Sequence, residues 1–425
     1  MTREMGYQVD ALTTWSTLAS AAAGETNPDL AWPRSVDVYD KMRREDSQVS
    51  SVLRAVTLPV RSARWTIDAT GTRPEVAALV AGDLGLTIRG QAPVAAGRAR
   101  GRFSWSEHLR LALTELVFGH AFFEQVYDTR TDELAHLAKL AWRPPRTISA
   151  MNVASDGGLN SIEQWSSTKG TVRIPVSRLV AYVNDREGGD WVGQSLLRSA
   201  YKNWLLKDRM LRAQALTVER NGLGVPVYTG AKPPEKATVD EALEWASQEK
   251  ESGLKVAQGF RAGEAAGASI PATASLDLKG VSGTLPDTDQ PIRYHDEQIA
   301  RSVLAHFLNL GTETGSWALG STFADFFTQS LNAVAEQVCD VVQQHVIEDL
   351  VDLNWGGTEA APRLRWEPIG KEHPATADAV RSLIDSHAIT PDERLESYMR
   401  ELHGLPVAEP ATARATTAST EGKPA

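Results

Sequence analysis

Chemistry in this chain would have to come from scattered groups. His295 and His306 stand eleven residues apart on one helical stretch, which places them near one face but about three turns apart, too far to share a metal. Asp287 with Asp289, and Glu348 with Asp349, are the close carboxylate pairs that could trade a proton. Solvated helix ends and turns account for both. The phosphate-cradling Gly-x4-Gly-Lys-Ser/Thr loop, the zinc-binding His-Glu-x-x-His pair and the Gly-x-Ser-x-Gly elbow do not occur. Gly222-Leu223-Gly224 lacks the third glycine of a dinucleotide loop. The single cysteine, Cys339, excludes an internal disulfide, and Val334, Val338 and Val341 put it on an apolar helix face, as a core residue.

What remains is charge and backbone freedom. From Ser195 to Arg220 the bases Lys202, Lys207, Arg209, Arg212 and Arg220 outnumber the acids Asp208 and Glu219 on a helical apolar pattern. Asp240, Glu241, Glu244, Glu249 and Glu251 crowd a second helix. Between Gly311 and Gly320 runs a polar loop with Thr312, Glu313, Thr314, Ser316 and Trp317, closed by Ser321. The glycines leave this backbone free to swing. A solvated face explains one isolated basic or acidic helix, and a plain connector explains the loop. Taken together they describe a wall element that projects something, not a catalytic pocket.

Composition bounds the rest. A chain of 425 residues, 42% hydrophobic and 23% charged, can bury a sizeable core and divides into two to four domains. No apolar run is long enough to span a bilayer, and residues 1–23 do not read as a signal peptide, so the protein is expected to stay in the cytoplasm. The net charge of -10 argues against wrapping duplex DNA by bulk attraction.

The elements that hold these residues alternate in type. Asp46 caps a helix carrying Val49, Val52, Leu53 and Val56 that ends near Pro59, and a strand centred on Trp65 and Ile67 follows. Residues 73–84 form a short helix, and Ser104 with Glu107 opens another as a capping box, closed by Gly119. From Ala121 to Val183 the period changes to two, predicting strands over 122–127, 137–142, 162–165, 172–174 and 179–183. This is an α+β section. Residues 224–283 make a small αβ unit: a strand at 225–228, the acidic helix at 239–250, and strands around 254–256 and 276–278. It is too small to be stable alone and is expected to lean on copies of itself. A helix then leads to the Gly311 loop, and a long apolar helix runs from Phe323 toward Trp355. A strand at 364–369, a helix at 374–389 and a helix start at Thr390-Pro391-Asp392-Glu393 complete the pattern.

In this order the elements resemble the portal proteins of tailed bacteriophages, over roughly Val36 to Val407. The likeness rests on Tyr39 to Trp65, on Gly119-His120-Ala121-Phe122-Phe123-Glu124, on Gly193-Gln194-Ser195-Leu196-Leu197-Arg198 leading to Asn221-Gly222, and on the Gly311 loop with its Phe-rich helix. The resemblance implies a flexible segment at 1–24, a wing at 25–190, a stem helix at 191–221, a clip at 222–284 and a second stem helix at 285–310. A tunnel loop at 311–321 follows, then a long helix and returning wing strand at 322–370, a helical crown at 371–407 and a disordered tail at 408–425. It implies a dodecameric ring at one capsid vertex, in contact with the major capsid protein. Double-stranded DNA would pass without sequence recognition, pumped by a separate terminase whose large subunit carries the ATPase, and head-tail adaptors would dock later. In that reading Thr312 to Trp317 with Ser321 face DNA, Gly311 and Gly320 are hinges, the bases at 202, 207, 209, 212 and 220 meet a neighbour or the DNA backbone, and the acids at 240–251 face motor and adaptor. No cofactor, metal or catalytic residue is implied. Another oligomeric virion part, an adaptor or tail component, and an unfamiliar hydrolase remain as alternatives.

Overall fold

The computed structural model describes residues 25–91, 103–130, 132–222, 225–260, 268–279, 287–303, 317–370, 377–386, 388, 390, 392, 395–396 and 399–400. The chain divides into two compact units, 1–367 and 368–425.

In the first unit, α1 (Arg34–Glu45) and α2 (Ser47–Ser62) are separated by Asp46 alone, whose carboxylate accepts the N–H groups of Gln48 and Val49 at 2.8 and 3.0 Å. That is the expected cap. The helix does not end at Pro59: it runs on to Ser62, and the Ala63 N–H closes it on the Pro59 carbonyl at 3.0 Å. Only the N–H that proline lacks is forfeited.

β1 (Trp65–Asp68) follows, then α3 (Pro74–Leu84) and the short β2 (Thr87–Ile88). The returning strand β11 (Arg363–Trp366) pairs antiparallel with β1, with Trp65 opposite Trp366, while β2 lies parallel on the other side. α4 (Trp105–Ala112) begins after Ser104, but no capping box forms there. The Ser104 side chain makes no cap bond, and Glu107 instead pairs with Arg110 at 2.5 Å. After a turn, α5 (Glu115–Phe118) ends at Gly119 in the left-handed region.

Two antiparallel sheets come next. One has the order β4-β3-β8, from β3 (His120–Thr129), β4 (Ala135–Arg143) and β8 (Leu179–Val183). The other has the order β5-β6-β7, from β5 (Ile148–Val153), β6 (Leu159–Ser166) and β7 (Gly170–Pro175). Phe122, Leu179, Ile148, Leu159, Ile162 and Ile174 share one core across both.

α6 (Tyr201–Gly222) and α8 (Asp289–Arg301) pack on each other and flank β9 (Val225–Thr229), α7 (Val239–Gly259) and β10 (Ser275–Lys279). α7 runs through 254–256, where a strand was expected. Its Thr238–Glu241 capping box and the Glu251–Lys255 pair at 3.0 Å, one turn apart, favour helix there. α9 (Trp317–Val342), a π-turn (Gln343–Ile347) and α10 (Glu348–Trp355) form one nearly continuous rod.

The second unit holds α11 (Ala377–Asp385). Beyond it the Asp392 carboxylate accepts the Leu395 N–H at 2.7 Å.

Candidate functional site

Two sequence signatures meet at one joint. Gly119 and Gly193 both have positive φ, 86° and 66°. A Cβ on Gly119 would fall 2.4 Å from the Val192 carbonyl oxygen, and one on Gly193 would fall 2.4 Å from that of Gly119. No other residue fits either place. Around this contact the Asn184 N–H donates to Gly119 O and the Gln194 N–H to Asn184 O, each at 2.9 Å. The Leu196 N–H reaches Leu116 O at 2.9 Å, and the Ser195 hydroxyl donates to Val117 O at 2.5 Å. His120 Nδ1–H donates to Val192 O at 2.9 Å, and burial lowers this ring's pKa to about 4. Ser195 to Ala200 therefore form the joint and not the helix, which starts at Tyr201. Leu197, Ala200 and Ile299 join Tyr39, Met42, Val49, Leu53, Val117 and Phe118 in the core that roots the two long helices.

The bases of α6 do not share one role. Lys202, Arg209 and Arg212 are exposed, Arg212 pairing with Asp208 at 2.9 Å. Lys207 is 5% exposed and ion-pairs with Asp46 at 3.0 Å and Asp296 at 2.6 Å. Burial alone would favour the neutral amine, but the two carboxylates outweigh it and raise the pKa above the ordinary value. Lys207 is thus a pin between the Asp46 cap of α2, α6 and α8, its charge held inside the subunit and not turned to a neighbour or DNA; beside Asp296, His295 Nδ1 meets Asn203 Oδ1 at 3.1 Å. Arg220 lies in α6, with its side chain outside the described part.

The acidic helix also divides. Glu241 closes the capping box, and the Glu249 carboxylate accepts the Tyr228 hydroxyl at 2.5 Å and the Ala231 N–H at 3.0 Å. These bonds hold the carboxyl of Glu249 below its usual range, the Ala231 N–H contributing most. Gly253 lies so close to Tyr228 that a Cβ would reach 2.1 Å from its ring. Asp240 and Glu244 are exposed and make no ion pair among the described residues. Val239, Leu243, Leu254 and Leu278 leave apolar surface in water on this small unit.

Gly311, Thr312, Glu313, Thr314 and Ser316 lie outside the described residues. Trp317, Gly320 and Ser321, expected in the loop, stand in the first turns of α9. Ala318 and Leu319 are strong helix formers, and a glycine near a helix start costs about 1 kcal/mol, too little to break the rod.

That rod is tied to the sheets by polar bonds the sequence did not reveal. Gln337 Nε2 donates to Val183 O at 3.0 Å and to Glu115 at 3.2 Å. Glu115 is fully buried, and burial first, with the charge of Asp185 second, pushes its pKa up to about 8. Cys339 is buried, donates to Leu364 O at 3.2 Å, and its thiol is pushed up to about 11, chiefly by burial. A recess beside it is lined by four acids, Asp340, Glu348, Asp352 and Glu359, and two bases, Arg363 and Arg365. Among the described residues no group of three His, Cys, Asp or Glu is placed to hold a metal, and no helix is long and apolar enough to cross a membrane.

Described as the portal protein of Mu bacteriophage, one family's model matches residues 36–405, most of the chain. The chain belongs to that family. Members are structural components of the phage virion, not enzymes, and the α+β portal architecture follows. The fold is also similar to a chain of the virion of a native gene transfer agent (GTA) particle, at 13% identity over 93% of this chain and 100% of that one, with a TM-score of 0.53. A chain from the neck of an empty GTA particle computed with C6 symmetry matches at 13% identity, 92% and 99% coverage and a TM-score of 0.54. One from the neck of a native GTA particle computed with C12 symmetry matches at 12%, 92% and 99%, and 0.52. Identities this low speak for the fold alone.

Proposed function

We propose that the chain closes into a ring, of twelve copies, at one capsid vertex, forming the channel through which the genome is packaged and ejected. The observation that carries this reading is the joint at Gly119 and Gly193, which sets a rigid two-helix stem against the wing sheets. The C6 and C12 symmetries of the similar GTA necks support a closed ring. An acidic subunit repeated around an axis repels phosphate and so avoids gripping passing duplex. Exposed Lys202, Arg209 and Arg212 are left to meet a neighbour or the DNA backbone, and the Gly311–Ser316 segment to line the narrow level. The apolar surface of the small αβ unit is covered by adjacent copies, while Asp240, Glu244 and Glu251 face the terminase large subunit during packaging and a head-tail adaptor afterwards. The wing meets the major capsid protein, and assembly takes place in the host cytoplasm.

The test is charge reversal of the unpaired acids. Asp240→Lys with Glu244→Lys is expected to leave rings intact while lowering terminase capture and nuclease-protected DNA together. Unchanged capture and packaging in intact rings would contradict the assignment.

A further inference from the structure

Three sheet edges of this protein are sealed by side chains. On β4 the Asn354 amide both accepts from Ala135 N and donates to Ala135 O, at 2.8 and 2.9 Å, and Asp83 accepts from Leu137 N at 2.8 Å. On β8, Gln337 occupies Val183 O; on β11, Gln343 Oε1 accepts from Leu364 N at 3.0 Å and Cys339 takes Leu364 O. Such plugs keep an open row of backbone groups from recruiting another chain.

β7 has no plug. Pro175 is paired with Ser161 and has no N–H to give to β6, so its register position is one whose backbone groups point away from β6. The pairing continues without a bulge, so Arg173 and Thr171 share that parity. Their N–H and C=O groups form an open edge, with no partner among the described residues. Only Ile174 in this strand is buried.

Charge and shape favour one kind of occupant. From Ser166 to Arg178 there are three bases, Lys169, Arg173 and Arg178, and no acid, in a chain of net charge -10. Arg173 Nε donates to Ser161 Oγ at 2.8 Å, which holds the guanidinium along the strand, and Arg178 leans toward Glu124 at 3.6 Å. Trp165 pairs with Thr171 on the same face as Arg173 and is 57% exposed, an aromatic surface beside the edge. Glu163, opposite Arg173, is engaged by Asn152 at 3.2 Å. A second copy of β7 would bring like charges together.

We infer that the outer edge of β7 docks an acidic, extended segment of another protein, which adds to the β5-β6-β7 sheet as a fourth strand. Backbone hydrogen bonds to Thr171 and Arg173 supply the pairing, and the three bases select carboxylates. The inference does not depend on ring closure.

The test uses the full chain and a fluorescently labelled synthetic peptide that alternates glutamate with valine and threonine, a twin with lysine for glutamate, and a single-stranded oligonucleotide of matching charge. The acidic peptide is expected to bind about tenfold or more tightly than its lysine twin. Thr171→Pro removes one outward N–H and no bond to β6, and is expected to weaken that binding about tenfold, while Thr171→Val leaves it unchanged. Should the proline variant fail to fold, amide exchange in the wild type decides: Thr171 and Arg173 N–H groups gain protection when the acidic peptide is bound. No binding, binding of both peptides alike, or oligonucleotide binding that equals the peptide's and ignores Thr171→Pro would each overturn the inference.

Discussion

Lys207 sits on a helix whose sequence displays a basic face, yet it spends its charge inside the subunit, on Asp46 and Asp296. Replacing it by methionine keeps the stem of the side chain and strands two carboxylates. Unfolding by denaturant should show a loss of about 3 kcal/mol, far more than for the exposed Arg209→Met. Glu115 gives a pH signature. Its ordinary pKa of 4.5 rises to about 8 in the folded protein, so the unfolded chain releases its proton first as pH climbs. Wild type should therefore lose stability between about pH 4.5 and 8, and Glu115→Gln should remove that slope, with the two proteins alike below the window. His136 slopes the same way, although there it is the charged form that the fold favours. Burial lowers its pKa, but bonds to Asp83 at 2.8 Å and Asp132 at 3.0 Å raise it on balance above 6.5. Its contribution is full below that value and fades as pH rises through the folded pKa, so wild type and His136→Asn should converge in stability on the alkaline side. None of these three roles was legible in the sequence, because each depends on a partner from 53 to 222 residues away.

At the scale of elements, local signals were read well where a short-range mechanism wrote them. The Asp46 cap, the Gly119 stop and the period-two strands from 120 to 183 all stand. The failures share a cause. Pro59 inside α2, the missing Ser104 box, the helix through 254–256 and the start of α9 at Trp317 are places where neighbouring turns overrode a local breaker or cap. β5 escaped notice because Ile148 to Val153 mixes polar and apolar residues without strict alternation. The joint between Gly119 and Gly193 was visible only as two separate motifs, since closeness of two backbones leaves no periodic trace. Gly119→Ala and Gly193→Ala should each cost about 2 kcal/mol or more, from positive φ and a backbone collision together. Gly320→Ala should instead raise stability by up to about 1 kcal/mol, since that position is helical; thermal unfolding of all three variants checks both signs.

For the whole molecule, family membership was legible from the order of weak signals over residues 36–407, of which the family model matches 36–405; the missing motifs pointed away from catalysis and the net charge away from duplex wrapping. Subunit number is not written in one chain, because it is a property of the angle between copies. The exposed Val239, Leu243, Leu254 and Leu278 and the exposed bases on α6 are surfaces that closure would cover or align. Electron microscopy of the purified full-length protein tests that closure most directly. Class averages should show rings with twelve-fold symmetry and a central opening as wide as duplex DNA. Particles that stay compact and without a central opening, at high concentration and with the major capsid protein added, would contradict it.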